Sequence, residues 1–317
     1  MTPTHLQDHL FQQIKQKLPV HTTLVDAVSE SLHVSTDSAY RRIRGETPLV
    51  LEEVQQLCKE FQISLDCLLE VKGTGTLFQV VQANNEDFDQ YLAGLKKALE
   101  EVLAFQQKEI YYLTKDLPIF HLFCYRPVFA FRYFFWMKSI LQHPDFTDRS
   151  FTSDCLPAKT EALGREILQL YNAIPSVEIW NNESINSTIS QIEYYREAGF
   201  FKNNEDVKII YNAVVDTLEH IKNEAEIGCK YLPEEKGDHK KENFRFFQNR
   251  VVLGDNTVLA IHDGAKTLYL NYDVLNYMVT RDATLCEDVY LKIQNLMRRA
   301  TILSQVSEKQ RNIFLIH

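Results

Sequence analysis

The chain reads as multi-domain, mainly α with an α+β part: a small helical bundle at the N-terminal end, then an α+β domain. Three observations lead there. Short apolar stripes at helical spacing, separated by tight turn signals, fill residues 5 to 70. A polar, Gly-containing stretch, Lys72-Gly-Thr-Gly-Thr76, follows them as a hinge. From Lys108 onward, helical periods alternate with short β-branched and aromatic runs bounded by Gly, Asn and Asp. With 317 residues and about 150 per domain as a prior, the expected division is 1–72 for the bundle, 73–112 for the hinge and a connecting helix, and 113–317 for the α+β domain.

In order along the chain, a first helix covers His5 to Lys17, and Pro19 ends it. Leu24, Val28 and Leu32 recur at four-residue spacing and give a second, amphipathic helix. Ser35 is a good N-cap for a third, with Ala39 and Ile43 on its inner face and Gly45 as its stop. Pro48 restarts the chain, and Leu51, Val54, Leu57, Cys58 and Phe61 mark a fourth stripe. Ser64 caps a last turn that faces Leu65 and Leu68 inward.

Beyond the hinge, Asn84 or Asn85 caps a helix to about Gln107. There Phe88, Leu92, Leu95, Leu99 and Val102 follow a coiled-coil seam until Gln106 and Glu109 break it. A helix packed on its own domain fits the same stripe. Further helices are expected near Lys159–Tyr171, Ile185–Ala198, Asp206–Ala225 and Thr284–Leu303. Short strands are expected at Val251–Leu253, Val258–His262 and Leu268–Asn271, turning at Gly254-Asp-Asn and Asp263-Gly.

Composition narrows the function classes. Six cysteines without a CxxC pair argue against a zinc site and a disulfide framework. The first twenty residues lack the apolar run of a signal peptide, so the cytoplasm is the expected location. The aromatic segment Leu117–Leu141 is interrupted by Arg126, Pro127, Arg132 and Lys138, well short of the roughly 20 apolar residues a spanning helix needs. The sequence shows no GxSxG elbow, HExxH, P-loop or kinase set, so neither an enzyme nor a cofactor is expected. Asp255-Asn-Thr and Asp263-Gly read as turn chemistry.

The stretch Leu24–Leu69 carries a fuller pattern: a scanning helix, Val34-Ser35 at the turn, Ala39-Tyr-Arg-Arg-Ile-Arg-Gly-Glu46, and Ile63-Ser-Leu-Asp-Cys-Leu-Leu69 at the end. It resembles the Xre/Cro (lambda-repressor-like) helix-turn-helix family, particularly its BetR-like variant, over about a seventh of the chain. The resemblance implies a transcriptional regulator that reads double-stranded DNA; the C-terminal domain that follows is expected to serve dimerisation and sensing. Carried over by position, Thr36, Asp37 and Arg41 would contact bases, and Tyr40, Arg42 and Arg44 sugar and phosphate. Physical chemistry supports such a reader independently. A recognition helix buries one side and offers polar side chains to the major groove, where arginine pairs with guanine O6 and N7. Ser35 can cap that helix while its hydroxyl or nearby amides meet a phosphate.

Against this stands charge. Residues 1–70 hold six Lys or Arg against ten Asp or Glu, and the chain as a whole is −9, the wrong sign for strong nonspecific phosphate attraction. A protein-interaction adaptor whose bundle does not touch DNA is therefore the second reading. For the aromatic cluster Phe120–Trp136 two readings stand side by side: core packing, or an effector pocket with His121 or Arg126 among its polar groups. A homodimer held by residues 73–317 is expected, with the Phe88–Val102 stripe or the aromatic segment as its interface.

Overall fold

The computed structural model describes residues 3–18, 22–61, 63, 65–68, 76–83, 87–237, 241–250 and 254–316. Its chain divides into two compact units, Met1–Gly75 and Thr76–His317. The expected hinge at 72–76, the Ser64, Asn84 and Asn85 caps, Pro19 and the strand at 251–253 fall almost wholly outside the described residues.

Among the described residues the regular elements of the first unit are helices: α1 (Pro3–Lys17), α2 (Leu24–Leu32), α3 (Thr36–Ile43), α4 (Leu51–Glu60) and α5 (Leu65–Leu68). Leu10, Phe11, Ile14, Val28, Ala39, Leu57, Ile63 and Leu68 form its core. Spacings of three and four residues put these on one face of each helix. Leu51, expected in the apolar stripe of α4, is instead 71% exposed, because it stands at the first position of the helix, before the stripe turns inward at Val54 and Leu57.

In the second unit an eight-stranded sheet runs β1-β7-β6-β5-β2-β3-β4-β8. The strands are β1 (Gln79–Val81), β2 (Lys108–Thr114), β3 (Ser176–Trp180), β4 (Phe244–Gln248), β5 (Thr257–His262), β6 (Ala265–Asn271), β7 (Tyr277–Thr280) and β8 (Thr301–Ile302). Pairing is parallel for β2/β3 and β3/β4 and antiparallel elsewhere. Between these strands come α6 (Phe88–Leu103), α7 (Arg126–Phe135), α8 (Ala158–Ala173), α9 (Glu183–Glu197), α10 (Asn204–Ile227) and α11 (Ala283–Met297), with α12 (Glu308–Ile316) last.

Alternation along each strand assigns the two faces. Ile110 and Tyr112 of β2, Trp180, Phe246 and Ala260 join the large core with α6 to α10 and α12, whereas Tyr111, Val177, Ile179, Leu259 and Leu268 pack against Cys286 and Ile293 of α11. All five residues of β3 are buried, as expected of a strand covered on both faces.

Residues 88–103 do not form a free connector. Phe88, Leu92, Leu99 and Val102 are buried in the second unit's own core, and Thr160 of α8 donates to Asp89 at 2.7 Å. The aromatic segment is consumed likewise: Phe120, Phe123, Phe129, Phe131, Phe134 and Trp136 are all buried. Neither stripe therefore presents its apolar face to a second copy. No helix among the described residues is long and apolar enough to cross a membrane.

The β5–β6 hairpin closes where expected, with Asp263 (φ 46°) and Gly264 (φ 84°) forming a two-residue loop between paired His262 and Ala265. The side chains of Asp263 and Asn256 pin loops: Asp263 Oδ1 accepts the Gln107 amide and Asn256 Oδ1 the Lys115 amide, each at 2.8 Å. The expected last helix ends at Met297 rather than Leu303, and the chain then forms β8 at the sheet edge.

Candidate nucleic-acid interface

The face singled out by the sequence is the outer side of α3, and its position is set from beneath. Ala39 is fully buried and Ile43 packs on the same core, so the helix is anchored through one stripe. Ser35 caps it: Oγ accepts the Ser38 amide at 3.3 Å and donates to Ser38 Oγ at 3.1 Å. The three-residue connection from α2 turns at His33, whose φ of 53° and ψ of 40° lie in the left-handed region. Ser29 steadies this turn, its hydroxyl donating to the Val34 carbonyl at 2.6 Å.

Of the residues proposed to touch DNA, Ser35, Thr36, Asp37, Tyr40, Arg41 and Arg44 are exposed. Arg41 Nε lies 3.2 Å from Asp37 Oδ2, one turn back, with both side chains more than half exposed. Arg44 sits over the Tyr40 ring, 5.4 Å from its centroid, and 3.6 Å from Glu46. Such exposed pairs are weak, of order 0.2–1 kcal/mol, so the guanidiniums are free to exchange partners.

Arg42 behaves differently. Its Nε donates to both Glu53 carboxylate oxygens at 3.1 Å, its Nη2 to Oε1 at 2.7 Å and its Nη1 to the Ser38 carbonyl at 3.2 Å. Both side chains are more than four-fifths buried. These hydrogen bonds hold the Glu53 carboxyl below its ordinary value, against burial that pushes the other way. Glu53 also accepts the Val50 amide at 3.2 Å, serving the start of α4 where the valine side chain cannot.

Two positioning residues were not singled out from the sequence. One is Glu53, whose only signal was an acid at the third position of a helix with an apolar N-cap. The other is Gln7 of α1. Its Nε2 donates to the carbonyls of Arg42 and Thr47 at 2.6 and 2.9 Å, and its Oε1 accepts the Leu49 amide at 3.0 Å. Gln7 thus ties the end of α3 and the loop after it to α1, across more than thirty positions in which sequence spacing carries no trace of the contact.

In the second unit several strongly perturbed groups are enclosed. Glu178 of β3 is fully buried and accepts from His121 Nε2 at 2.9 Å, Tyr171 OH at 2.6 Å and Trp180 Nε1 at 2.8 Å. Burial alone favours the neutral imidazole, yet the facing Glu178 carboxylate holds His121 above its ordinary value. Lys230, pulled down to about 7 by burial, donates to the Tyr171 and Ile174 carbonyls at 2.7 Å each. Arg126 pairs with Glu161 at 3.0 Å. His121 and Arg126 are therefore committed to neighbours, and neither belongs to the apolar cavity beside α6 and β2. Among the described residues, no group of three or more His, Cys, Asp or Glu could hold a metal ion.

No protein family matches this chain, and comparison with curated proteins and with solved structures gives no match either.

Proposed function

We infer that the protein is a sequence-specific DNA-binding transcriptional regulator, reading the major groove with residues 36–44 and working as a homodimer. The observation that carries this reading is the outer face of α3. Thr36, Asp37, Tyr40, Arg41 and Arg44 are all exposed on one capped helix whose opposite stripe is locked into a core. Thr36, Asp37 and Arg41, at and near the helix start, take the base-edge role, with Arg41 suited to guanine. Ser35, Tyr40 and Arg44 flank them as sugar and phosphate contacts. Arg42, held by Glu53, fixes the angle of α3 against α4 and leaves the phosphates to its neighbours.

The resemblance to lambda-repressor-like regulators supports the same placement. Homodimerisation through the second unit follows from affinity: one small acidic module reads few base pairs, and two half-sites about one helical turn apart supply the rest.

A second reading, an adaptor that binds protein through the same bundle, is favoured by the acid excess of residues 1–70. Selection of bound duplexes from a random DNA pool by the full-length protein separates the two. A regulator enriches one motif over successive rounds. An adaptor leaves the pool unchanged, and that result would remove the DNA-binding reading.

A further inference from the structure

We propose that two copies of the chain pair through the edge strand β1, antiparallel about a two-fold axis at Val80, so that their two sheets become one. This pairing rests on the homodimer reading above and gives it a surface. The sheet has two edges, and they differ. At one end β8 holds only Thr301 and Ile302 and comes just after Arg298 and Arg299, short and charge-flanked as a blocked edge is. At the other end β1 lies within Leu77–Ala83, LFQVVQA, which carries no charge, proline or glycine. Phe and Val favour strands, and Leu77 and Val80 are 55% and 54% exposed. An uncharged, unblocked edge of this kind is a template for another strand.

Hydrogen-bond alternation tells which backbone groups of β1 are already spent. The Tyr272 amide donates to the Asn276 carbonyl at 3.1 Å. By alternation Met278 turns its N–H and C=O to β6, while Tyr277 and Val279 turn theirs to β1. Val81 and Gln79, which oppose them, are thereby paired, and the Ala83 amide, on the same side, donates to Asn276 Oδ1 at 2.7 Å. The backbone groups of Phe78, Val80 and Gln82 therefore face outward, with no strand beside them among the described residues.

A second β1 meets these groups. In antiparallel register centred on Val80, Phe78 faces Gln82 of the other copy and Val80 faces its own counterpart, with two hydrogen bonds at each pair. The two-fold axis makes every such bond reciprocal. No charge on the strand repels a second copy, and none selects a charged partner, which favours self-pairing over another protein. Only Thr76, Leu77 and Phe78 separate the division at Gly75 from β1. The axis thus lies close along the chain to both DNA readers, as two adjacent half-sites require. One short strand a side makes an interface below the roughly 800 Å2 per partner of a standard one, so Kd falls on the order of 1–10 µM.

Sedimentation velocity on the full-length protein is the test. Wild type should be dimeric at tens of micromolar, to the same extent in low and high salt because the strand is uncharged. Val80→Lys sets two like charges opposite each other, and Val80→Pro removes an outward amide that an edge strand can lose without unpairing from β7. Each should raise Kd at least about 30-fold, leaving mostly monomer at tens of micromolar. Ile302→Lys, at the other edge, should dimerise like wild type. Hydrogen exchange on the wild type needs no variant to fold. The 77–83 peptide should exchange more slowly at about 100 µM than at about 1 µM, while second-unit peptides away from β1 stay unchanged. A wild-type monomer at about 100 µM would overturn this pairing together with the homodimer reading. A dimer that persists in folded Val80→Lys and Val80→Pro, or one whose 77–83 exchange ignores concentration, would overturn the pairing alone and leave the homodimer standing.

Discussion

Glu53→Gln removes the charge that holds α3 against α4 while keeping the side chain's shape. In the native unit Glu53 accepts three close contacts from Arg42 and one from the Val50 amide, at 2.7–3.2 Å. A glutamine retains one acceptor oxygen and leaves the more than four-fifths buried Arg42 guanidinium without its counter-charge. Loss of charge-assisted hydrogen bonds at such a site costs about 1–3 kcal/mol. For a unit of this size each kcal/mol lowers the midpoint by roughly 4–8 °C.

Hydrogen exchange on the full-length protein in graded urea reads the effect locally. Peptides over α3 and α4 should lose that much opening free energy, while peptides of the second unit should not change. The sign with pH follows from Glu53 titrating below its ordinary 4.5 in the folded state. Its contribution is fully present above that value and is lost as the pH falls through the lower, folded one. The gap between wild type and variant should thus be full at pH 7 and close in acid. Equal stabilities at neutral pH, or a gap that persists when both forms are protonated, would refute the pinning role of this pair.

Arg41→Ala should weaken specific duplex binding by about 1–3 kcal/mol, roughly 5- to 150-fold in Kd, and relax preference at one base pair, as read by fluorescence anisotropy. Unchanged affinity and preference would misplace the reading helix. His33→Gly relieves a left-handed histidine and should stabilise the first unit by about 0.5–1 kcal/mol, measured by the same hydrogen exchange; destabilisation would contradict the turn geometry. Because residues 1–70 carry an acid excess, the slope of log K against log salt should be shallow, roughly three to five per protomer, and a value near ten would contradict it. Light scattering on the full chain should give a dimer at tens of micromolar, and a monomer both free and on DNA would remove the dimer from the account.

The first unit was legible because its information is local. Spacing of Leu24, Val28 and Leu32, the Ser35 cap and the Gly45 stop each act within one or two turns, and the helices fall where these signals put them. What stayed hidden there were contacts across sequence: Gln7 to the end of α3, and Arg42 to Glu53. In the second unit the helices near 159–171, 185–198 and 206–225 and the β5–β6 hairpin were readable for the same reason.

Strands β1, β2, β3, β4, β7 and β8 were not. Residues of β3, SVEIW, are buried on both faces and carry Glu178 in the middle, so neither alternation nor an apolar run marks them. Only the fold reveals that His121, Tyr171 and Trp180 satisfy that carboxylate. The stripe Phe88–Val102 was correctly apolar, but periodicity cannot tell a partner's surface from the chain's own sheet. The cavity beside it combines Asp116, Arg132 and Trp136 with distant strands, a juxtaposition without a linear signature.

Genome-wide mapping of the DNA bound by the protein in its own cells tests the central claim most directly. The account predicts that the bound regions share one motif, arranged as two related half-sites about one helical turn apart, roughly 34 Å, and that Arg41→Ala erases or alters it. Bound regions without a common motif, or a motif unaffected by Arg41→Ala, would contradict sequence reading by α3.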